Sequence, residues 1–158
     1  MKKILEISIA IILAVLFPNC AGRHSVEDIP DNGNWVRIGC NYESVGPYLR
    51  DDDLFFVMLE GKTQINEADA ETFRVCADSY YAKDINYVYY PSIILIANRT
   101  IDHITYYFLD GADAGTFKYI GNGYAVDKNN MYHDGKIIKW NHHILDSLVN
   151  YSEKRDWK

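Results

Sequence analysis

Asp84-Ile85-Asn86-Tyr87-Val88-Tyr89-Tyr90 is an aspartate-led aromatic segment, and it returns as Asp127-Lys128-Asn129-Asn130-Met131-Tyr132-His133. A second shared segment precedes each copy: Ala68-Asp69-Ala70-Glu71-Thr72-Phe73 comes before the first, and Ala112-Asp113-Ala114-Gly115-Thr116-Phe117 before the second. Pairing the upstream segments needs a shift of 44 residues, and pairing the aromatic segments needs a shift of 43. Two motifs that return together at almost the same spacing indicate one long repeated unit.

A third, degenerate copy begins at Tyr48, because residues 48–56 align with residues 81–89 and with the chain from Tyr124 onward. The pattern resembles the DKNYY family, whose unit has the shape Asp-Lys-Asn-x-Val-Tyr-Tyr, then a short Gly-Lys stretch, then Ala-Asp-x-x-Thr-Phe. The resemblance implies a bacterial envelope repeat protein, and it names no activity.

The aromatic segments predict β-strands, because dense tyrosine, valine and phenylalanine suit a pleated, half-buried surface. Asp134-Gly135 between two extended segments predicts a tight hairpin. Each Ala-Asp-x-x-Thr-Phe segment predicts one helical turn that is capped by its aspartate, with Phe73 or Phe117 directed into the core. No long amphipathic helix separates the strands, so we expect antiparallel rather than parallel pairing.

The predicted fold is therefore mainly β, an array of antiparallel β-hairpin repeats with short helical turns and units near residues 48–73, 81–117 and 124–150. Units of this size cannot bury an apolar face alone, so neighbouring units must stack or share a sheet. The tail from Ile144 to Tyr151 is either a short C-terminal helix, which we favour slightly, or a partial fourth unit.

The acidic and amide residues of the repeated segments are interpreted as structural. Short Asx side chains bond nearby backbone and tolerate unusual dihedral angles, which suits the entry to a turn. A calcium loop is disfavoured, because the alternation of ligands, the central glycine and the distant glutamate of the helical calcium-binding loop do not appear at that spacing. The predicted turn residues are Asp51, Asp84, Asn86, Asp127 and Asn129.

The N-terminus has the form of an export signal. Lys2 and Lys3 precede a largely apolar stretch over residues 4–17, which is shorter than the roughly 20 residues needed to span a bilayer. We predict a cleaved signal peptide over residues 1–19, with an uncleaved anchor as the alternative.

Cys20 ends the sequence Leu16-Phe17-Pro18-Asn19-Cys20, which resembles a lipobox although Phe17 and Asn19 depart from its usual residues. We expect lipidation at Cys20 and a polar tether over residues 20–34, followed by the repeat domain over residues 35–158. The alternative is an ordinary signal cleavage nearby. A lipidated domain would be anchored in the bacterial cell envelope, on the outer membrane or the periplasmic side.

Two cysteines remain after lipidation, Cys40 and Cys76. An even pair in an oxidising compartment is compatible with a disulfide bridge, which would close a loop of about 37 residues and stabilise by roughly 3–4 kcal/mol. Two buried free thiols are a nearly equal alternative, and the sequence does not separate them.

No sequence motif indicates a catalytic site, a metal site or a cofactor. The adjacent His142 and His143 would point to opposite faces of a strand, and no Cys-x-x-Cys or His-x-x-x-His spacing supports zinc. The formal net charge of −6 disfavours nucleic acid as a partner. Thirteen tyrosines are the compositional excess that suits binding, although core packing explains most of them; Tyr87 and Tyr90 are the first candidates.

These observations favour a lipid-anchored envelope protein whose repeat domain is a non-enzymatic interaction or structural module with an unidentified protein partner. The alternative is an envelope enzyme or an inhibitor of the immunity type, with acidic and histidine side chains in a cleft between repeats. Clustering of His133, His142 and an aspartate in one concave site would favour that alternative.

Overall fold

The computed structural model of the protein describes residues 25–59, 61–92 and 105–153. Most of the regular structure in these residues is short β-strand, and one α-helix follows the last strand. The strands in chain order are β1 Trp35–Val36, β2 Glu43–Val45, β3 Tyr48–Asp51, β4 Leu54–Val57, β5 Thr63–Ile65, β6 Arg74–Cys76, β7 Ala82–Lys83, β8 Val88–Ser92, β9 Thr105–Phe108, β10 Lys118–Gly121, β11 Tyr124–Val126, β12 Met131–His133 and β13 Lys136–Ile138. The helix α1 is His142–Glu153, and a 3-10 turn covers Val26–Asp28.

Three antiparallel sheets follow one another along the chain. The first sheet is β2–β5, the second is β6–β9 with β1 added beside β6, and the third is β10–β13. Consecutive strands pair with one another within each sheet, so each repeat is a four-stranded meander. The predicted mainly β, antiparallel fold with a C-terminal helix is confirmed. Each sheet starts one strand before its aspartate-led hairpin, at residues 43, 74 and 118.

The Asp134-Gly135 hairpin forms as predicted. His133 pairs with Lys136 across it, and both turn residues have positive φ, 47° at Asp134 and 72° at Gly135. Positive φ at both positions defines a type I′ turn, whose twist matches that of the flanking strands.

Asp51 requires a correction. It was predicted to form a turn like Asp84, yet it is the last residue of β3 and pairs with Leu54. The turn itself consists of Asp52, with a φ of 52°, and Asp53. In the second and third sheets, four residues separate the paired strands at the equivalent place. The first hairpin is two residues shorter, so its aspartate remains in the strand.

The sheets stack face to face through aromatic cores. One buried cluster joins the first and second sheets around Phe73, which contacts the rings of Tyr48, Phe55 and Tyr89. A second cluster joins the second and third sheets around Phe117. The Phe117 ring contacts Tyr81 and Tyr132, which hold the repeat positions of Tyr48 and Tyr89. Both phenylalanines point into the core as predicted, and each one is buried between two sheets.

One tyrosine hydroxyl at each stacking interface reaches across to the next sheet. Tyr48 donates to the backbone oxygen of Tyr80 at 2.8 Å, and Tyr81 donates to that of Gly123 at 3.2 Å. Tyr81 also accepts a bond from the amide of Gly135 at 2.9 Å. Tyr124 holds the same repeat position in the third sheet, which is the last sheet in the described residues, and its ring stacks on His133.

We expect Tyr81→Phe to lower the free energy of unfolding by about 1–2 kcal/mol, because it leaves the partly buried Gly135 amide without its acceptor. Urea unfolding followed by circular dichroism measures the change. Tyr124→Phe is the matched control, since no hydrogen bond of the Tyr124 hydroxyl occurs in the described part of the chain. Equal losses in the two variants would contradict the role of the hydroxyl between sheets.

The helix closes the end of the array. Leu145 is fully buried among Ile29, Ile120, Val126 and Met131 on the outer face of the third sheet. Asn141 caps the helix: its side-chain oxygen accepts bonds from the amides of residues 143 and 144 at 3.1 and 3.2 Å. An array of stacked sheets needs such an end cap, because the last sheet has no neighbour to cover its apolar face.

The predicted tether over residues 20–34 is wrong where the structure describes it. Residues 25–34 pack against the third sheet, and Ile29 is only 2% exposed. Asn32 donates its amide to the Tyr119 oxygen at 2.8 Å, while the Tyr119 amide donates to Asp31 Oδ1 at 3.1 Å. Polar composition suggested a free linker, but these polar groups bond the unpaired edge of β10.

Cys40 and Cys76 are both free thiols, so the bridge that the sequence left open is not formed. Cys76 is buried, and burial raises the pKa of its thiol, whereas Cys40 is exposed. The predicted signal peptide and Cys20 lie outside the described residues. Within residues 25–59, 61–92 and 105–153, no helix has the length and apolar character to cross a bilayer.

Candidate functional site

Asp84 is the centre of a buried polar network. Its side chain is nearly inaccessible, with the residue 5% exposed. Oδ1 accepts bonds from the amides of Asn86 and Tyr87 at 2.7 and 2.8 Å. Oδ2 accepts the Asp69 amide at 2.9 Å and the Tyr89 hydroxyl at 2.6 Å. One carboxylate therefore closes its own turn, anchors the upstream helical turn and orients a core tyrosine.

Asp127 repeats the arrangement and is fully buried. Its Oδ1 accepts the amides of Asn129 and Asn130, both at 2.7 Å. Its Oδ2 accepts the Asp113 amide and the Tyr132 hydroxyl, both at 2.8 Å. The two motifs of the repeat are thus halves of one hydrogen-bonded unit, which explains why they recur together.

The helical turns are capped as predicted. The Asp69 carboxylate accepts both the amide and the hydroxyl of Thr72, at 2.8 and 2.5 Å. Asp113 binds Thr116 in the same way, at 3.0 and 2.7 Å. Both oxygens of Asp84 and both oxygens of Asp127 accept two bonds each from the protein's own donors. These two carboxylates therefore serve the fold, and a ligand must be sought elsewhere.

The copies differ at the end of the aromatic segment. Tyr90 and His133 occupy equivalent positions, and the residues that follow are Pro91-Ser92 in one copy and Asp134-Gly135 in the other. Tyr90 faces Asp134 and Gly135 across the edge of the interface between the second and third sheets. A side chain on Gly135 would collide with the Tyr90 ring, so the glycine both forms the turn and admits the ring.

A groove of about 390 Å³ opens at this place. It combines an aromatic and aliphatic floor with two carboxylates and one ammonium group. The lining residues are Tyr90, Phe108, Leu109, Asp110, Asp134, Gly135, Lys136 and Ile137. The groove is the outward end of the aromatic core between the two sheets, and it is the candidate functional site.

Tyr90 and Asp134 both line the groove. Burial, and then the neighbouring Asp134 carboxylate, raise the pKa of Tyr90 to about 12. The phenol therefore stays protonated at neutral pH. Asp134 also lies 3.7 Å from His133 Nε2. The groove thus presents a protonated phenol and an acidic rim.

Only one of the two predicted binding tyrosines lines the groove. Tyr90 does, whereas Tyr87 is 42% exposed and packs its ring on Phe108 at a centroid distance of 4.5 Å. The sequence did not identify Asp110, Asp134 or Ile137 as binding residues, although it placed Asp134 in a hairpin turn. The sequence did carry one signal for the groove, which is the divergence between the two copies after Tyr90 and His133. Residues that recur in every unit serve the fold of the unit, so a residue needed once is expected where the copies differ.

Alkaline pH is expected to destabilise the protein. The folded state raises the pKa of Tyr90 to about 12 through burial, and burial also raises the pKa of Tyr81, Tyr89 and Tyr132. The unfolded chain releases these protons near pH 10. The stability that depends on these protonated phenols is therefore fully present below about pH 10. It is lost as the pH rises towards about 12.

Tyrosinate absorbance and circular dichroism measured together against pH test this expectation. The buried phenols should ionise only as the folded signal is lost, and Tyr90→Phe should make the decline of stability with pH shallower. Complete tyrosine ionisation with an unchanged folded signal would contradict it.

The histidines do not form a metal cluster in the described part of the chain, where no group of three or more His, Cys, Asp or Glu residues could hold an ion. His133 stacks on Tyr124 at 4.1 Å, and His142 stacks on Trp140 at 6.4 Å. His103 lies outside the described residues. His133 and His142 therefore each have a local aromatic neighbour.

A family model described as the DKNYY family matches residues 48–153. Searches of curated proteins and of solved structures return no match. The matched region covers well over half of the chain and runs from β3 to the end of α1, so it includes both buried aspartate networks and the groove. This extent of agreement shows the family, and the chain belongs to the DKNYY family.

Proposed function

We propose that the protein is a lipid-anchored component of the bacterial envelope whose repeat domain is a non-enzymatic interaction module. The groove between the second and third sheets carries this proposal, because it is the place where the repeats depart from one another. Tyr90 and Ile137 supply contact area there, and Asp110 and Asp134 supply charge. Protein interfaces favour such aromatic anchors beside polar rims.

The stacked architecture supports a binding role over a chemical one. The buried acidic groups of the repeat, Asp84 and Asp127, are saturated by internal donors. The groove's own groups are a protonated phenol, two carboxylates and a lysine, which can contact a partner without a reaction.

The anchor is supported by the lipobox-like sequence that ends at Cys20. The packed segment starts within a few residues of that cysteine, and five residues extend to at most about 18 Å. A lipid at Cys20 would therefore hold the third sheet and the helix close to the membrane surface.

Cys20→Ala is expected to move the protein from the membrane fraction to the soluble fraction after carbonate extraction. Loss of the lipid removes the membrane-binding free energy of its acyl chains, which is about 0.8 kcal/mol for each buried methylene. Cys40→Ala is the matched control, because Cys40 is exposed and free and its loss should leave the distribution unchanged. Unaltered membrane association of the Cys20 variant would overturn the lipid anchor.

A further inference from the structure

The third sheet has two edges, and the chain covers one of them itself. At β10, the Tyr119 amide donates to Asp31, the Asn32 amide donates to the Tyr119 oxygen, and the Asn32 side chain donates to the Ile120 oxygen at 3.2 Å. The N-terminal segment thus acts as a substitute strand. At the other edge, β13 is the last strand of the sheet.

The backbone of Ile137 is directed outward at this open edge. His133 and Lys136 flank the two-residue turn and form its hydrogen-bonded pair. Antiparallel pairs alternate, so the next pair, Tyr132 with Ile137, is the non-bonded kind, and the N–H and C=O of Ile137 point away from β12. Within the described residues, no other group bonds to them.

The side chain at this position is also accessible. Ile137 is 58% exposed, although it pairs with the fully buried Tyr132 on the face that turns towards the second sheet. It therefore stands at the mouth of the groove, beside Tyr90 and Asp134. An open strand edge with an exposed apolar side chain is a template for another strand.

We propose that β13 and the adjoining groove bind an extended peptide segment of a partner protein that carries a lysine or arginine. The peptide adds to the third sheet as a fifth strand, and its basic side chain enters the groove. A peptide supplies an N–H and a C=O at strand spacing, which the outward pair of Ile137 matches.

Charge complementarity selects the basic side chain. Two carboxylates, Asp110 and Asp134, line the groove against one ammonium, that of Lys136, and the chain carries a formal net charge of −6. An arginine or lysine would meet the acidic rim while its aliphatic stem packs on Tyr90. The site rests on the proposed interaction function and names the class of its partner.

Selection from a random peptide display library on the full chain, held in detergent micelles, tests the site. We expect selected peptides to combine a basic residue with β-branched neighbours. Ile137→Pro should weaken their binding by about tenfold or more, because proline removes the outward amide and obstructs the edge. Ile137→Val keeps that amide and should remain within about threefold of the wild type.

Ile137→Pro should leave the hairpin folded, since the amide it removes is not part of the ladder; circular dichroism melting checks this. Asp134→Asn is the second variant. Asparagine suits the positive φ of a type I′ turn, so the change removes charge and keeps the backbone. Binding of the selected basic peptides should fall by about three- to tenfold and lose part of its salt dependence.

Several results would overturn the site. These are the absence of any selected peptide, selection of acidic peptides, equal binding by the wild type and the Ile137→Pro variant, or dimerisation through β13 in light scattering, which would make a second copy the occupant. The selection does not depend on lipidation. Its failure would overturn the peptide site, whereas retention of the Cys20→Ala variant in membranes would overturn the lipid anchor.

Discussion

Replacing Asp127 with alanine is expected to lower the free energy of unfolding by about 3–5 kcal/mol. The substitution leaves four donors without their acceptor: the amides of Asp113, Asn129 and Asn130 and the hydroxyl of Tyr132. A buried donor left unsatisfied costs about 1–3 kcal/mol, and entry of water at the exposed end of the turn offsets part of the total. Domains of this size have only about 5–15 kcal/mol of stability, so the variant should be close to unfolding.

The matched control is Asp51→Ala at the equivalent position of the first sheet. Asp51 has a single described ion pair, with Lys62 at 3.7 Å between two partly exposed side chains, and such pairs contribute about 0–1 kcal/mol. Urea unfolding of the two variants should therefore separate them by several kcal/mol. Similar midpoints would show that the network around Asp127 is not what stabilises the third sheet.

Leu145→Ala is expected to cost about 2–5 kcal/mol, as truncation of fully buried leucines does. Leu145 is the residue of α1 that is fully buried in the cluster with Ile120, Val126 and Met131. Without it, the helix loses its central contact, and the outer face of the third sheet is exposed. Increased binding of a hydrophobic dye should accompany the lowered unfolding midpoint.

Ser147→Ala on the exposed side of the same helix is the control. In the described part of the chain its hydroxyl bonds the Ile144 oxygen one turn back and no other group. Alanine has the higher helix propensity, so the change should be within about 0.5 kcal/mol of zero. If Leu145→Ala were equally mild, the helix would be an appendage and not the cap of the array.

Local chemistry accounts for what the sequence predicted correctly. Asp134-Gly135 specified a type I′ hairpin because both residues tolerate positive φ, and the Ala-Asp-x-x-Thr-Phe segments specified capped helical turns because the aspartate reaches an amide three residues on. These contacts lie within a few residues, so composition and order determine them. The prediction for Asp51 was wrong, because aligned residue types do not determine how many residues separate two paired strands.

The tether was misjudged for a related reason. Asp31 and Asn32 are typical of linkers, yet they bond Tyr119 and Ile120, 88 residues further along the chain. Polar composition shows that side chains can form hydrogen bonds with water. It does not show that they will bond the backbone of an unpaired strand edge instead.

By itself, the sequence determined a repeated, mainly β chain with aspartate-led turns, a C-terminal helix and membership of a family. The tertiary structure alone decided that Asp84 and Asp127 join the two motifs into one buried unit, that Tyr48 and Tyr81 bond the sheets together, and that Tyr90 meets Asp134 in a groove. Turn chemistry acts between neighbours in sequence, whereas these contacts depend on how the sheets stack. The residues at which the copies differ form a groove only because the stacking of the second and third sheets brings them to one surface.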